Sequence, residues 1–68
     1  MNVTEKEFNY IKRHLTIQII NTLMDENGYN IEDAINKVYT SPIYEKLSDP
    51  ETGLFIQSPR YIMSYMTI

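Results

Sequence analysis

Apolar residues return at three- and four-residue steps through the first third of the chain, at Phe8, Ile11, Leu15, Ile19 and Leu23. That period belongs to one stripe of an α-helix. Ahead of it, Thr4 and Glu7 supply the T-x-x-E pattern of a capping box, with Val3 and Phe8 in the positions of a hydrophobic staple. Gly28 offers a left-handed C-terminal cap, so the pattern predicts a first helix from a Thr4 cap to about Asn27, roughly 33 Å long. A second apolar set, Ile17, Ile20 and Met24, lies well around from the first. The C-terminal half of this helix is therefore apolar on more than one side, which calls either for wrapping by shorter helices or for an oligomer seam.

The remaining elements are marked by their starts. Asn30, with Asp33 three residues on, opens a second helix in which Ile31, Ala34, Ile35 and Val38 are expected to face the core, with Glu32, Asp33, Asn36 and Lys37 facing water. Ser-Pro-x-Tyr then occurs twice, as Ser41-Pro42-Ile43-Tyr44 and Ser58-Pro59-Arg60-Tyr61. Serine at the cap and proline at the first helical position start a helix in each copy. Ile43, Tyr44 and Leu47 should turn inward, and both Tyr44 and Tyr61 should pack into the core with their hydroxyls at its edge. Between the copies, Asp49-Pro50-Glu51-Thr52-Gly53 is a turn, and Leu54-Phe55-Ile56 is expected to be extended. After Arg60 there is no charged side chain through Ile68, so the fourth helix is apolar all round; such a helix is wholly buried or meets another surface.

The expected fold is thus all-α: a single helical domain over 1–68, with one long N-terminal helix packed by two or three short ones and an extended connection around 54–57. A core of this size supplies only a few kcal/mol, roughly 3–5, unless something staples it. There is no cysteine for a disulfide or thiolate metal site, and the lone His14 builds no zinc site by itself. Oligomerisation or a partner is the remaining route to added stability.

The net charge of −3 argues against nucleic acid, which favours a basic face, and only Lys12 and Arg13 are adjacent among six scattered cations. The first 34 residues hold six acids against three bases, and the rest balance at three each. Glu5, Lys6 and Glu7 stand where a leader peptide would be apolar, and no run of about 18 apolar residues occurs, so the expected location is cytoplasmic with no membrane span.

Candidate chemistry is sparse. Neither Asp25 nor Asp49 starts an EF-hand: counted from them, the position reserved for glycine holds Asn30 or Leu54, and the bidentate glutamate position holds Asn36 or Arg60. His14 falls on the polar side of the first helix, near Tyr10, Gln18, Asn21 and Asp25, where a solvated face explains it as well as a general base does. Capping accounts for Ser41 and Ser58 without a nucleophile or a modification site. Two isolated glycines form no phosphate loop. Six tyrosines and two phenylalanines without a basic groove read as core rather than as a stacking platform for bases.

The stretch Tyr39-Thr40-Ser41-Pro42-Ile43-Tyr44-Glu45-Lys46-Leu47, continued after Ser48 by Asp49-Pro50-Glu51-Thr52-Gly53-Leu54-Phe55-Ile56-Gln57-Ser58-Pro59-Arg60-Tyr61, resembles a group of small, uncharacterised helical proteins of Gram-positive bacteria and their mobile elements. In that group a long first helix is similarly succeeded by a turn with Thr-Gly-Leu and an aromatic. Some of those reading frames look as though they sit beside toxin–antitoxin-like genes, which implies protein binding. No catalytic residues come with the resemblance.

The expected function is that of a small non-catalytic bacterial protein, with no cofactor or metal, acting through protein–protein contact as a homodimer or within a heteromeric complex. The alternative is an antitoxin-like or transcription-regulatory module contacting DNA, which would need a recognition helix with a basic face; the second helix offers Glu32 and Asp33 instead. The expected interface comprises Ile17, Ile20 and Met24 of the first helix with Met63, Tyr65, Met66 and Ile68 of the fourth. The sequence leaves open whether Arg60, near the start of the fourth helix, meets an anion.

Overall fold

The computed structural model describes residues 3–67 and is all-α, with no strand among them. Helix α1 (Glu5–Asn27) is the longest element. Helices α2 (Ile31–Thr40), α3 (Pro42–Leu47) and α4 (Pro59–Met63) come after it, with two 3-10 turns at Pro50–Thr52 and Leu54–Ile56 between α3 and α4. The ends of α1 are where the sequence puts them. The Thr4 hydroxyl accepts from the Glu7 amide (3.1 Å), and the Thr4 amide donates to Glu7 Oε1 (2.8 Å), completing the capping box. Gly28, at φ +73°, supplies the left-handed cap, and the Tyr29 amide bonds back to the Leu23 carbonyl at 3.2 Å. Asn30 then caps α2 by accepting from the Asp33 amide at 2.8 Å.

The core gathers on one stripe of α1. Phe8, Leu15, Ile19 and Leu23 are buried there together with Ala34 and Val38 of α2, Ile43 and Leu47 of α3, Phe55, Ile62 and Met66. Ala34 is fully buried, and its small side chain lets α2 lie close on α1. Phe55 meets Phe8 edge-to-face, with ring centroids 5.2 Å apart and planes at 81°. Helix α4 packs on another part of α1 and is tied to its C-terminal turn by a two-pronged ion pair from Arg60 to Glu26. Arg60 therefore has an internal carboxylate partner, which answers the question of an anion at the start of this helix.

Four expectations about the later elements are corrected. Leu54–Ile56 is a 3-10 turn rather than an extended strand-like connection; only Gln57 has extended backbone. Gly53 at φ +71° redirects the chain, and the tightened turn buries Phe55 while leaving Ile56 exposed. Helix α4 stops at Met63 and continues in i+3 bonds, from the Tyr65 amide to the Ile62 carbonyl (3.1 Å) and from the Met66 amide to the Met63 carbonyl (2.9 Å). It is not apolar all round to solvent, because Ile62 and Met66 are buried. On α2, Ala34 and Val38 face the core, whereas Ile31 (55% exposed) and Ile35 (38%) do not; the part of α2 laid against α1 is too narrow to include them. Tyr61 is exposed and shares a hydroxyl–hydroxyl hydrogen bond of 3.1 Å with Tyr65, while Tyr44 is half-buried.

The twin Ser-Pro starts also differ. Ser58 Oγ accepts from the Tyr61 amide (3.2 Å), as a cap should. Ser41 makes no such bond; it closes α2 and opens α3 at once, and its hydroxyl is buried with no hydrogen-bond partner among the described residues. Substitution separates the two roles. Ser58→Ala should cost about 1 kcal/mol in a urea titration, the usual worth of a helix cap. Ser41→Ala should be neutral or stabilising by up to about 1 kcal/mol, since it removes a buried polar group that nothing satisfies.

Two exposed carboxylates link stability to pH, each weakly because solvent screens it. Bonds to the Thr4 backbone and hydroxyl hold Glu7 below its ordinary value of 4.5, and the Arg60 guanidinium does the same for Glu26. Each folded-state value is depressed, so the stabilisation is complete above the unfolded value and is lost as pH falls through the folded one. The thermal midpoint should therefore drop on acidification below pH 4.5, and the Glu7→Gln/Glu26→Gln chain should show a shallower drop.

Candidate functional site

Helix periodicity decides which parts of α1 remain uncovered. At about 100° per residue, Ile17, Ile20 and Met24 point well away from the middle of the buried stripe. Helix α2 runs back along α1 after the Gly28 turn and covers part of this second set. Ile20 and Met24 become half-buried against the core, and Ile17 stays 50% exposed. The C-terminal end of α2 thereby arrives beside the N-terminal half of α1.

The result is an open groove of about 310 Å³ lined by Asn9, Lys12, Arg13, Thr16, Ile17 and Ile20 of α1, Tyr39 of α2 and Tyr44 of α3. Its floor is aromatic and aliphatic. Tyr39 and Tyr44 meet edge-to-face at 4.8 Å and 80°, and Lys12 Nζ lies 5.8 Å from the centroid of the Tyr44 ring, within range of a cation–π attraction. Partial desolvation, then the neighbouring Tyr44, push the Tyr39 hydroxyl above its ordinary pKa, with Lys12 opposing more weakly. Tyr39 is therefore a neutral hydrogen-bond donor and acceptor at neutral pH. Two cations and no carboxylate line this groove, although the chain as a whole is acidic.

The groove continues into a wider apolar face. Ile31, Ile35 and Tyr39 recur at four-residue steps on α2, and all three are exposed. On α1, Tyr10 and Ile17 are seven residues apart on one row and are exposed too. Among the described residues, five of the eight exposed large apolar or aromatic side chains belong to α1 and α2, with Ile17 and Tyr39 joined across the groove. A larger depression, about 580 Å³, runs along Glu5, Lys6, Asn9, Tyr10 and Arg13, but one helix alone lines it and nothing faces it.

The fourth-helix residues expected at the interface differ in exposure. Ser58, Pro59 and Arg60 lie against Gln18, Asn21 and Thr22, around α1 from Ile17, Ile20 and Met24. Met66 is in the core, so it presents no surface to a partner, and Met63 is half-buried against the same core. Tyr65 is 58% exposed beside Tyr61, with ring centroids 5.4 Å apart. Ile68 lies outside the described residues. Of the expected set, Ile17 and Tyr65 are exposed, and Ile20, Met24 and Met63 are half-buried against the same core.

His14 has the Tyr10 ring beside it at 5.0 Å and, among the described residues, no hydrogen-bond partner. No group of three or more His, Asp or Glu side chains able to hold a metal occurs among the described residues. Lys12, Arg13, Tyr39 and Tyr44 were not singled out as site residues by sequence reasoning. The four-residue spacing of Ile31, Ile35 and Tyr39 was the available signal, and assigning Ile31 and Ile35 to the core concealed it. No helix among the described residues is long and apolar enough to cross a membrane. No protein-family model, curated protein or solved structure matches the chain.

Proposed function

We propose that the chain acts without catalysis, through protein–protein contact made by the groove and apolar face of α1 and α2. The observation that supports this reading is the continuity of that face: Ile17 and Tyr39 share a groove, Tyr10 extends it along α1, and Ile35 and Ile31 extend it along α2. Fully desolvated aromatic and aliphatic anchors ringed by polar groups are what carry binding energy at protein interfaces. The resemblance to small helical proteins of Gram-positive bacteria, some beside toxin–antitoxin-like genes, agrees with a binding role in a bacterial cytoplasm. Contact with DNA is the weaker reading, because only Lys12 and Arg13 gather on this face and α2 begins with Glu32 and Asp33.

The test compares two tagged chains purified from the native cell. The wild-type chain should retain a stoichiometric protein, either another copy or a different chain. Ile17→Glu should lose it while keeping the same circular dichroism, since Ile17 is half exposed and a charge there is tolerated by the fold. Equal retention by both chains would refute this face as the contact surface.

A further inference from the structure

We infer that the partner of this face is a second copy of the chain, docked antiparallel about a two-fold axis, an inference that rests on the protein-contact reading. The centre of the face, Ile17, Ile35 and Tyr39, has opposite charge on its two sides. Lys12 and Arg13 stand at the groove end, beside the last turn of α2. Glu32 stands in the first turn of α2, three residues before Ile35 and seven before Tyr39, hence on the same row. Because α2 runs back along α1, Glu32 lies about 10 Å from Tyr39 toward the C-terminal end of α1. Between Tyr10 at one extreme and Ile31 at the other, the order is base, apolar, acid.

Rotation by 180° superimposes that order on its complement. A two-fold axis through the middle of the face sets Lys12 and Arg13 of one copy against Glu32 of the other, twice, while Ile17, Ile35 and Tyr39 meet their counterparts between them. Within one copy none of these three charges is in an ion pair; among the described residues, the one ion pair is Arg60 with Glu26. A different protein would need the same charge order in reverse, which a second copy already has. Complementary charges fix orientation and register, and the apolar centre supplies the affinity.

Sedimentation equilibrium and light scattering on the full chain test this. The wild type should be a concentration-dependent dimer, and Ile17→Glu a monomer with unchanged circular dichroism. Arg13→Glu and Glu32→Arg should each weaken dimerisation about tenfold, because each change sets like charges opposite one another at two symmetry-related places. The Arg13→Glu/Glu32→Arg chain should recover to within about threefold of wild type. A monomeric wild type, or a dimer indifferent to all four substituted chains, overturns the inference. If the wild type is monomeric yet still retains a different protein from its cell in an Ile17-dependent manner, the two-fold dimer falls and the contact reading stands. If it neither dimerises nor retains a protein, both fall.

Discussion

A helix of 23 residues in a chain of 68 exposes Phe8, Leu15, Ile19 and Leu23 along one stripe, and water does not tolerate that stripe uncovered. Nearly everything else in the molecule is an answer to it. Helix α2 lies on it through Ala34 and Val38, Phe55 closes over Phe8, and Ile62 and Met66 complete the cover from the C-terminal segment. The long dimension of the molecule, 37 Å, is close to the length of α1 itself. Because the covering elements have only 10, 6 and 5 residues, none forms a stable helix alone; each depends on the stripe for its apolar partner.

The same shortage of covering chain explains the surface. Three short helices and two 3-10 turns close the stripe but leave Ile17 on one flank and Ile31 and Ile35 on the outer side of α2. Covering those as well would require a further element. Lys12 and Arg13 on one side of Ile17 and Ile35 and Glu32 on the other give it a direction, which an apolar patch alone lacks. The Arg60–Glu26 pair has a more limited part. Both side chains are largely exposed, so screening leaves the pair little thermodynamic weight; it orients α4 rather than anchoring it.

The turn between α3 and α4 shows local chemistry acting almost alone. Asp49 Oδ1 accepts from the Glu51 amide at 3.0 Å, and the Thr52 hydroxyl donates to the Lys46 and Asp49 carbonyls at 2.7 and 2.8 Å. Gly53 then takes the positive φ that the direction change needs. This clamp is complete within eight residues, so it was legible as a turn. The backbone path just beyond Gly53 was not legible, because the choice between an extended and a 3-10 conformation at Leu54–Ile56 depends on where Phe8 waits for Phe55.

By itself the sequence determined the all-α class, the Thr4 and Gly28 limits of α1, the Asn30 and Ser58 caps and the buried stripe, since each rests on residues within a turn or two of one another. It also singled out Ile17, Ile20 and Met24 as a second apolar set. Only the tertiary structure decided which side of α2 would meet α1, that Ser41 would be buried without serving as a side-chain cap, and that Met66 would join the core. It alone brought Tyr39 and Tyr44 to Ile17 and Lys12, residues more than twenty positions apart. The physical reason is one of range. Caps and periodicity are settled by bonds between near neighbours, whereas burial is settled by competition among all apolar residues for the one stripe that can receive them.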